Sequence, residues 1–225
     1  MTLGDRIKGY EKVFSQRALK RTPLMIRVDG KAFHTFTRDL EKPFDKGLME
    51  AMIKSAQYTA EKMQGFKVAY IQSDEVTFVL TDYDTLETEG WFNYKINKVV
   101  SISAAMMSAS FNVFYATNKL ALFDSRAFNV PKEDVLNALL WRAKDWHRNS
   151  IQMFARAFFS HKELHKKSLD DIHEMLHSIG KNWTTDLLPI ERNGTFLIKT
   201  EEGIITTSEI LPTYVDLQRH LGKLF

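Results

Sequence analysis

Apolar and polar positions follow two periods along this chain, and the switches between them mark out its elements. In residues 3–19, Leu3, Ile7, Tyr10 and Phe14 fall at helical spacing with Lys8, Lys12 and Arg17 elsewhere, which predicts an amphipathic first helix. "PLMIRV" (23–28) is short and stops at Asp29-Gly30, as a strand closed by a turn would. Leu48, Met49, Met52, Ile53, Ala56, Ala60 and Met63 then repeat helically, with Asp45 placed as N-cap and Gly65 as stop. "FKVAYIQ" (66–72) and "VTFVL" (76–80) suit strands, and the polar "SDE" between them is short enough for an antiparallel hairpin. Helical spacing returns from about Trp91 to Tyr115, and small residues there permit close packing. "DSRAFNV" (124–130) predicts another strand, and Pro131 fits the first turn of a helix running to about His161. Further on, Asn193-Gly194 in "LLPIERNGTFLIK" is a strong hairpin signal.

The order β-α-β-β-α-β is the ferredoxin-like split βαβ pattern, an α+β antiparallel sheet with helices on one face. Residues 136–225 read as a helical extension with a small hairpin, packed on a core of 1–135 with no clear linker. The strand order has a chemical consequence. If the first and second strands run parallel by way of the crossover helix, the end of the first strand and the turn joining the second and third lie on one edge of the sheet. Asp29 and Asp74-Glu75 therefore meet. Taken singly, Asp-Gly is an ordinary turn and Asp-Glu a solvated hairpin tip; their convergence is what points to a site.

Asp29, the Gly30 carbonyl and Asp74 would offer hard oxygen ligands, suited to Mg²⁺ shared with phosphate groups. Two such ions would serve an in-line phosphoryl or nucleotidyl transfer. Glycine at 30 lets the backbone approach a ligand, and the turn amides of Lys31, Ala32, Phe33 and His34 could hold triphosphate oxygens. Lys31, His34, Arg38, Lys42 and Lys46 would neutralise the remaining charge.

Composition narrows the chemistry further. With no Cys, disulfides, thiolate zinc sites and cysteine nucleophiles drop out, and a reducing compartment is expected. No stretch approaches the roughly 18–20 apolar residues of a membrane span, and "MTLGDRIKGYEK" lacks the features of a signal peptide, so a cytoplasmic protein without a membrane partner is expected. A net charge of +3 permits an anionic substrate without arguing for nucleic acid. Its distribution says more: His161, Lys162, His165, Lys166 and Lys167, with Arg142, Lys144, His147 and Arg148 before them, form a cluster that reads either as a set of RNA phosphate contacts or as a solvated helix face.

"RVDGKAFHTFT" (27–37), "KPFDK" (42–46), "QSDEVTFVL" (72–80) and "FDSRAFNVP" (123–131) resemble, in this order, the motifs of the tRNA-His guanylyltransferase family and its guanylyltransferase-like members, the 3′→5′ polymerases. The resemblance implies a catalytic core similar to a polymerase palm. It also implies two Mg²⁺ ions, ATP or GTP as activating and incoming nucleotides, the 5′ end of a tRNA as partner, and a homo-oligomer, most like a tetramer. By position, Asp29, Gly30 and Asp74 match metal ligands, residues 29–34 and Ser73-Asp74 match nucleotide-binding segments, and Glu75 matches a third acidic position. Arg27, Lys46 and Arg126 match basic positions suited to phosphates, with Lys42 placed for a triphosphate or an RNA 5′ end. Members that add the extra guanosine to tRNA-His carry a His-Ile-Asn-Asn-type motif, whereas this chain has "HRNSIQMF" at 147–154, keeping only His147 and Asn149. That departure favours the branch that repairs truncated tRNA 5′ ends by template-dependent addition.

Two other classes compete. "HEMLH" (173–177) matches H-E-x-x-H, in which His173 and His177 would bind Zn²⁺, but a third ligand is needed and only Glu191 or Asp186 is at hand. "HKELH" (161–165) repeats the same His spacing, which favours solvated pairs on polar helices over a zinc hydrolase. A nucleotide cyclase-like or nucleotide-sensing protein would use the same palm arrangement without RNA. The Met-rich "AAMMSASF" (104–111) reads as core or subunit interface.

Overall fold

In the computed structural model, which describes residues 1–225, six strands account for one sheet: β1 (Leu24–Gly30), β2 (Phe66–Gln72), β3 (Glu75–Leu80), β4 (Phe123–Asn129), β5 (Thr195–Thr200) and β6 (Gly203–Thr207). Every pairing is antiparallel and the order is β4-β1-β3-β2-β5-β6. The first four strands stand in the order expected of the ferredoxin-like unit. The hairpin of the extension is not separate from them, because β5 pairs with β2 and carries the same sheet outward.

Successive side chains on a strand point to opposite faces. Leu24, Ile26 and Val28 accordingly enter one core while Met25 enters another. On the first face lie α3 (Lys46–Glu61) and α4 (Ile96–Phe114), which bring Leu48, Met52, Met107 and Phe111 against the sheet. The second face is covered by the long α5 (Val135–Arg156) through Leu139 and Trp146, then by α7 (Leu169–Ser178) through Ile172 and by α10 (Tyr214–Leu221) through Leu217. The expectation of helices on one face thus holds for the βαββαβ unit alone. Met25, Val68, Tyr70 and Val79 are too apolar to face water, and the extension buries them.

Four short helices complete the chain: α2 (Phe33–Phe36), α6 (His161–Leu164), α8 (Trp183–Asp186) and α9 (Pro189–Asn193). Asp45 caps α3 as its position suggested, its carboxylate accepting from the Leu48 amide at 2.7 Å. Gly65 follows with φ +78°, and a Cβ there would strike the Thr81 carbonyl.

Three local expectations are corrected. Left-handed backbone at Phe92, Asn93 and Tyr94 breaks the helical register, so α4 starts at Ile96 instead of Trp91. Asn193-Gly194 is not a hairpin turn: Gly194, at φ +72°, ends α9, and the β5–β6 turn lies at 201–202. The first helix, α1, covers only Leu3–Val13, and its apolar face meets no core, with Leu3, Tyr10 and Phe14 exposed. No helix is long and apolar enough to cross a membrane.

Candidate functional site

The site is built where β1 ends. Asp29 stands opposite Glu75 on β3 and opposite Asp124 on β4, so ladders on both sides fix its position. The β2–β3 hairpin turns through Ser73 and Asp74, with Ser73 in the left-handed region at φ +48°. That tip is tied to β1 by the Gly30 amide, which donates to the Asp74 carbonyl at 3.1 Å. The strand order therefore brings the two carboxylates together, as the sequence predicted.

Beyond Gly30 the chain turns sharply through Ala32, at φ +55°, into α2. The turn is pinned by Phe33, whose ring sits 4.9 Å from Phe36, 5.1 Å from Phe123 and 5.7 Å from Phe111. Gly30 is required for a steric reason, since a Cβ there would run into the Phe33 ring.

Two cavities meet at the carboxylates. One, of about 290 Å³, lies between Asp29, Asp74 and the α5 residues Arg142, Asn149, Gln152 and Arg156. The other, of about 540 Å³, opens on the α2 side and is lined by His34, Thr37 and Lys42. Ser73, Asp74 and Arg156 line both. The Lys42 ammonium is held there by the Thr37 carbonyl at 2.7 Å.

Charge is crowded at this edge. Burial, reinforced by Asp29 and Glu75 and opposed by its own backbone and Ser73 hydrogen bonds, pushes the Asp74 carboxyl up to about 6. Burial also raises Glu75, against the pull of Arg142 and Arg27. Arg142 grips Glu75 through Nε–Oε1 at 2.7 Å and Nη2–Oε2 at 2.8 Å, and Arg27 Nε stands 4.0 Å from Oε2. Glu75 is thereby committed to guanidinium partners, while Asp29 and Asp74 remain for a cation. Arg126 lies at the mouth, with Nη2 4.0 Å from Asp29 and 3.3 Å from Asp124.

The donor set suits Mg²⁺. Two carboxylates beside a backbone carbonyl are all oxygen, and Mg²⁺ takes one or two protein carboxylates and completes its shell with water and substrate phosphates. No three His, Cys, Asp or Glu side chains are placed so that together they could hold a metal ion. A protein-held zinc centre needs three such ligands, and His173 and His177 have no third partner. His173 instead packs 6.1 Å from the Trp183 ring.

The remaining sequence candidates divide. Asn149 lines the α5-side cavity, its amide donating to Asp145 at 3.3 Å. His147 does not: it lies edge-on to Trp183 at 4.7 Å with Nδ1 buried and unpartnered, and burial lowers its pKa. Residues two positions apart on a helix are separated by about 200° around its axis, so His147 and Asn149 cannot share a face. Lys46 is exposed in the first turn of α3, and Lys31 and Ala32 are exposed on the turn; none of the three lines either cavity. Arg156, Gln152 and Asp145 at the site carry no motif in the sequence, and Arg142 belongs there to a cluster that reads either as phosphate contacts or as a solvated helix face. Their signal was the spacing 142, 145, 149, 152, 156, one polar stripe beside the apolar stripe of α5.

A family model described as tRNAHis guanylyltransferase matches residues 4–131. The tRNA(His) guanylyltransferase of Schizosaccharomyces pombe is 31% identical over 156 residues, covering 65% of this chain and 57% of that protein. The chain thus spans little more than half the length of this curated relative. A solved bacterial tRNA(His) guanylyltransferase-like protein in complex with ATP superposes with a TM-score of 0.93 at 36% identity, covering 99% of both chains. A second such structure, in complex with GTP, gives 0.85 at 33% identity, again over 99% of both.

Proposed function

This chain belongs to the tRNAHis guanylyltransferase family, and on that footing we propose that it adds nucleotides in the 3′→5′ direction to the 5′ end of tRNA, repairing truncated ends against a template. The observation that carries the reading is the meeting of Asp29 and Asp74 between two cavities that share Arg156. One nucleotide and one RNA end need separate room on either side of a common reacting phosphorus. In activation the 5′-phosphate attacks the α-phosphorus of ATP or GTP and displaces pyrophosphate, leaving AMP or GMP joined to the RNA end. The 3′-hydroxyl of an incoming NTP then attacks the phosphorus of the 5′-phosphate and expels the activating group; on a 5′-triphosphate end the leaving group is pyrophosphate.

Asp29, the Gly30 carbonyl and Asp74 would hold two Mg²⁺ ions, which when bound activate the attacking oxygen and stabilise the leaving one. The chain's own groups do the rest. Asp29, Phe33, His34 and Ser73-Asp74 line the space that would receive the nucleotide. His34, Lys42 and Arg156 lie where triphosphate charge would be offset. Arg126 steadies Asp29 at the mouth, and Arg27 acts through Glu75. Glu75 is a positioning residue, because both of its oxygens are taken by Arg142.

Repair is favoured over addition of the extra guanosine to tRNA-His by one feature. Of the two motif residues retained at 147–149, only Asn149 reaches the cavity. The exposed apolar face of α1 supports assembly into a homo-oligomer, a tetramer by family likeness.

The test is incubation with Mg²⁺, NTPs and a panel of 5′-truncated tRNAs. Products lengthened at the 5′ end are expected, reduced by at least about 10²-fold in Asp29→Ala. Failure to extend any tRNA of the panel overturns the reading. Cyclic nucleotide formed from NTP without RNA would replace it with the cyclase class.

A further inference from the structure

A third cavity, of about 200 Å³, lies past the end of α5, lined by Gln152, Arg156, His161, His165, Lys166 and Lys167. Gln152 and Arg156 also line the α5-side cavity at the carboxylates, so the two spaces adjoin through these side chains. We propose that this third cavity is the seat of an RNA backbone phosphate, holding the strand that leads away from the reacting 5′ end; the proposal rests on the RNA-dependent reading above.

Four observations converge. First, these basic side chains are not held by the protein, although Lys167 acts on Asp171 through space. Arg156, His161, His165, Lys166 and Lys167 make no ion pair and no side-chain hydrogen bond. Second, the nearby acids are already engaged. Glu163 accepts from the Ser160 amide at 2.8 Å and Asp171 from the Ser168 amide at 2.9 Å, each closing a capping box. Like charges gathered together oppose folding, a repulsion that a bound polyanion would relieve.

Third, the backbone bends to make the cluster. Lys166 sits at φ +62°, a region that a non-glycine residue rarely enters. The bend falls between the capped helices α6 and α7 and sets Lys166 and Lys167 in the cavity wall. Fourth, no carboxylate lines the cavity. A nucleotide triphosphate travels with Mg²⁺ and needs an acidic ligand nearby, whereas a phosphodiester needs cations alone. The chemistry thus separates this cavity from the one at Asp29 and Asp74.

The experiment measures binding of a fluorescent tRNA over a salt series, and binding of Mg²⁺-ATP by calorimetry, for the full chain and Lys166→Glu/Lys167→Glu. Both lysines are exposed, and thermal melts check that the variant folds. Expected are an RNA affinity weakened about tenfold or more, a salt slope shallower by about two, and ATP affinity within about twofold of the parent. The neutral pair Lys166→Gln/Lys167→Gln should fall between. RNA affinity and slope unchanged in the variant overturns the subsite while leaving the function standing. Equal loss of ATP and RNA affinity overturns it in favour of a nucleotide triphosphate site. Absence of salt-sensitive RNA binding by the parent chain overturns the function and the subsite together.

Discussion

Arg142 on α5 and Glu75 at the start of β3 form a bidentate pair across 67 positions of sequence, with contacts of 2.7 and 2.8 Å. The pair fastens the extension to the catalytic edge. Arg142→Ala would leave the Glu75 carboxylate buried with only Arg27 nearby, and breaking a buried pair from one side costs about 3–5 kcal/mol. Urea denaturation at pH 7 should show that loss, and Glu75→Gln in the same background should recover part of it.

Asp74 predicts a pH dependence of opposite sign to the usual carboxylate. Its folded pKa, about 6, lies above the ordinary carboxylate value of 3.8, so the folded chain holds the proton more tightly than the unfolded one. The penalty is absent below about pH 4, grows as pH rises from 3.8 to 6 and is constant above. Asp74→Asn should therefore stabilise the metal-free protein by about 3 kcal/mol at pH 7, with the gain vanishing towards pH 4. Melting curves at several pH values check this, and Mg²⁺ with ATP should stabilise the parent but not the variant.

Gly30→Ala sets a methyl against Phe33, which cannot swing away because Phe36, Phe111 and Phe123 enclose it. Overpacking of this kind costs about 1–3 kcal/mol. Nucleotide affinity, read by calorimetry, should fall with it. In a Phe33→Ala background the added methyl should cost little further stability.

Ser150 joins α5 to the segment that leads into β5: its hydroxyl donates to the Glu191 carbonyl at 2.7 Å and accepts from Trp183 Nε1 at 3.0 Å. Ser150→Ala leaves two buried groups unpaired, a loss of about 2 kcal/mol or more in chemical denaturation. Ser150 lines neither catalytic cavity, so kcat should stay within about twofold of the parent.

What the sequence disclosed follows from the range of the forces involved. Asp29 and Asp74 could be brought together on paper because strand order is set by local patterning and a handedness rule. Arg142 and Arg156 could not, because the rotation of α5 on the sheet depends on how Leu139 and Trp146 bury, a tertiary matter. His147 and Asn149 are neighbours in sequence but oppose one another around the helix. Asn193-Gly194 misled because a left-handed glycine ends a helix as readily as it turns a hairpin. The zinc motif of α7 had the right letters and lacked only what sequence spacing does not supply, a third ligand in space.

The second face of the sheet also bears on how the chain is made. All four strands of the β4-β1-β3-β2 unit are encoded by residue 129, but the first helix to cover Met25, Val68, Tyr70 and Val79 does not begin until Val135. A nascent chain whose four strands have emerged before α5 follows them carries a sheet with one oily side in water, the kind of surface through which growing chains stick together. Slow translation of 136–221 prolongs that interval, so the C-terminal half shields its own N-terminal half before it serves any substrate.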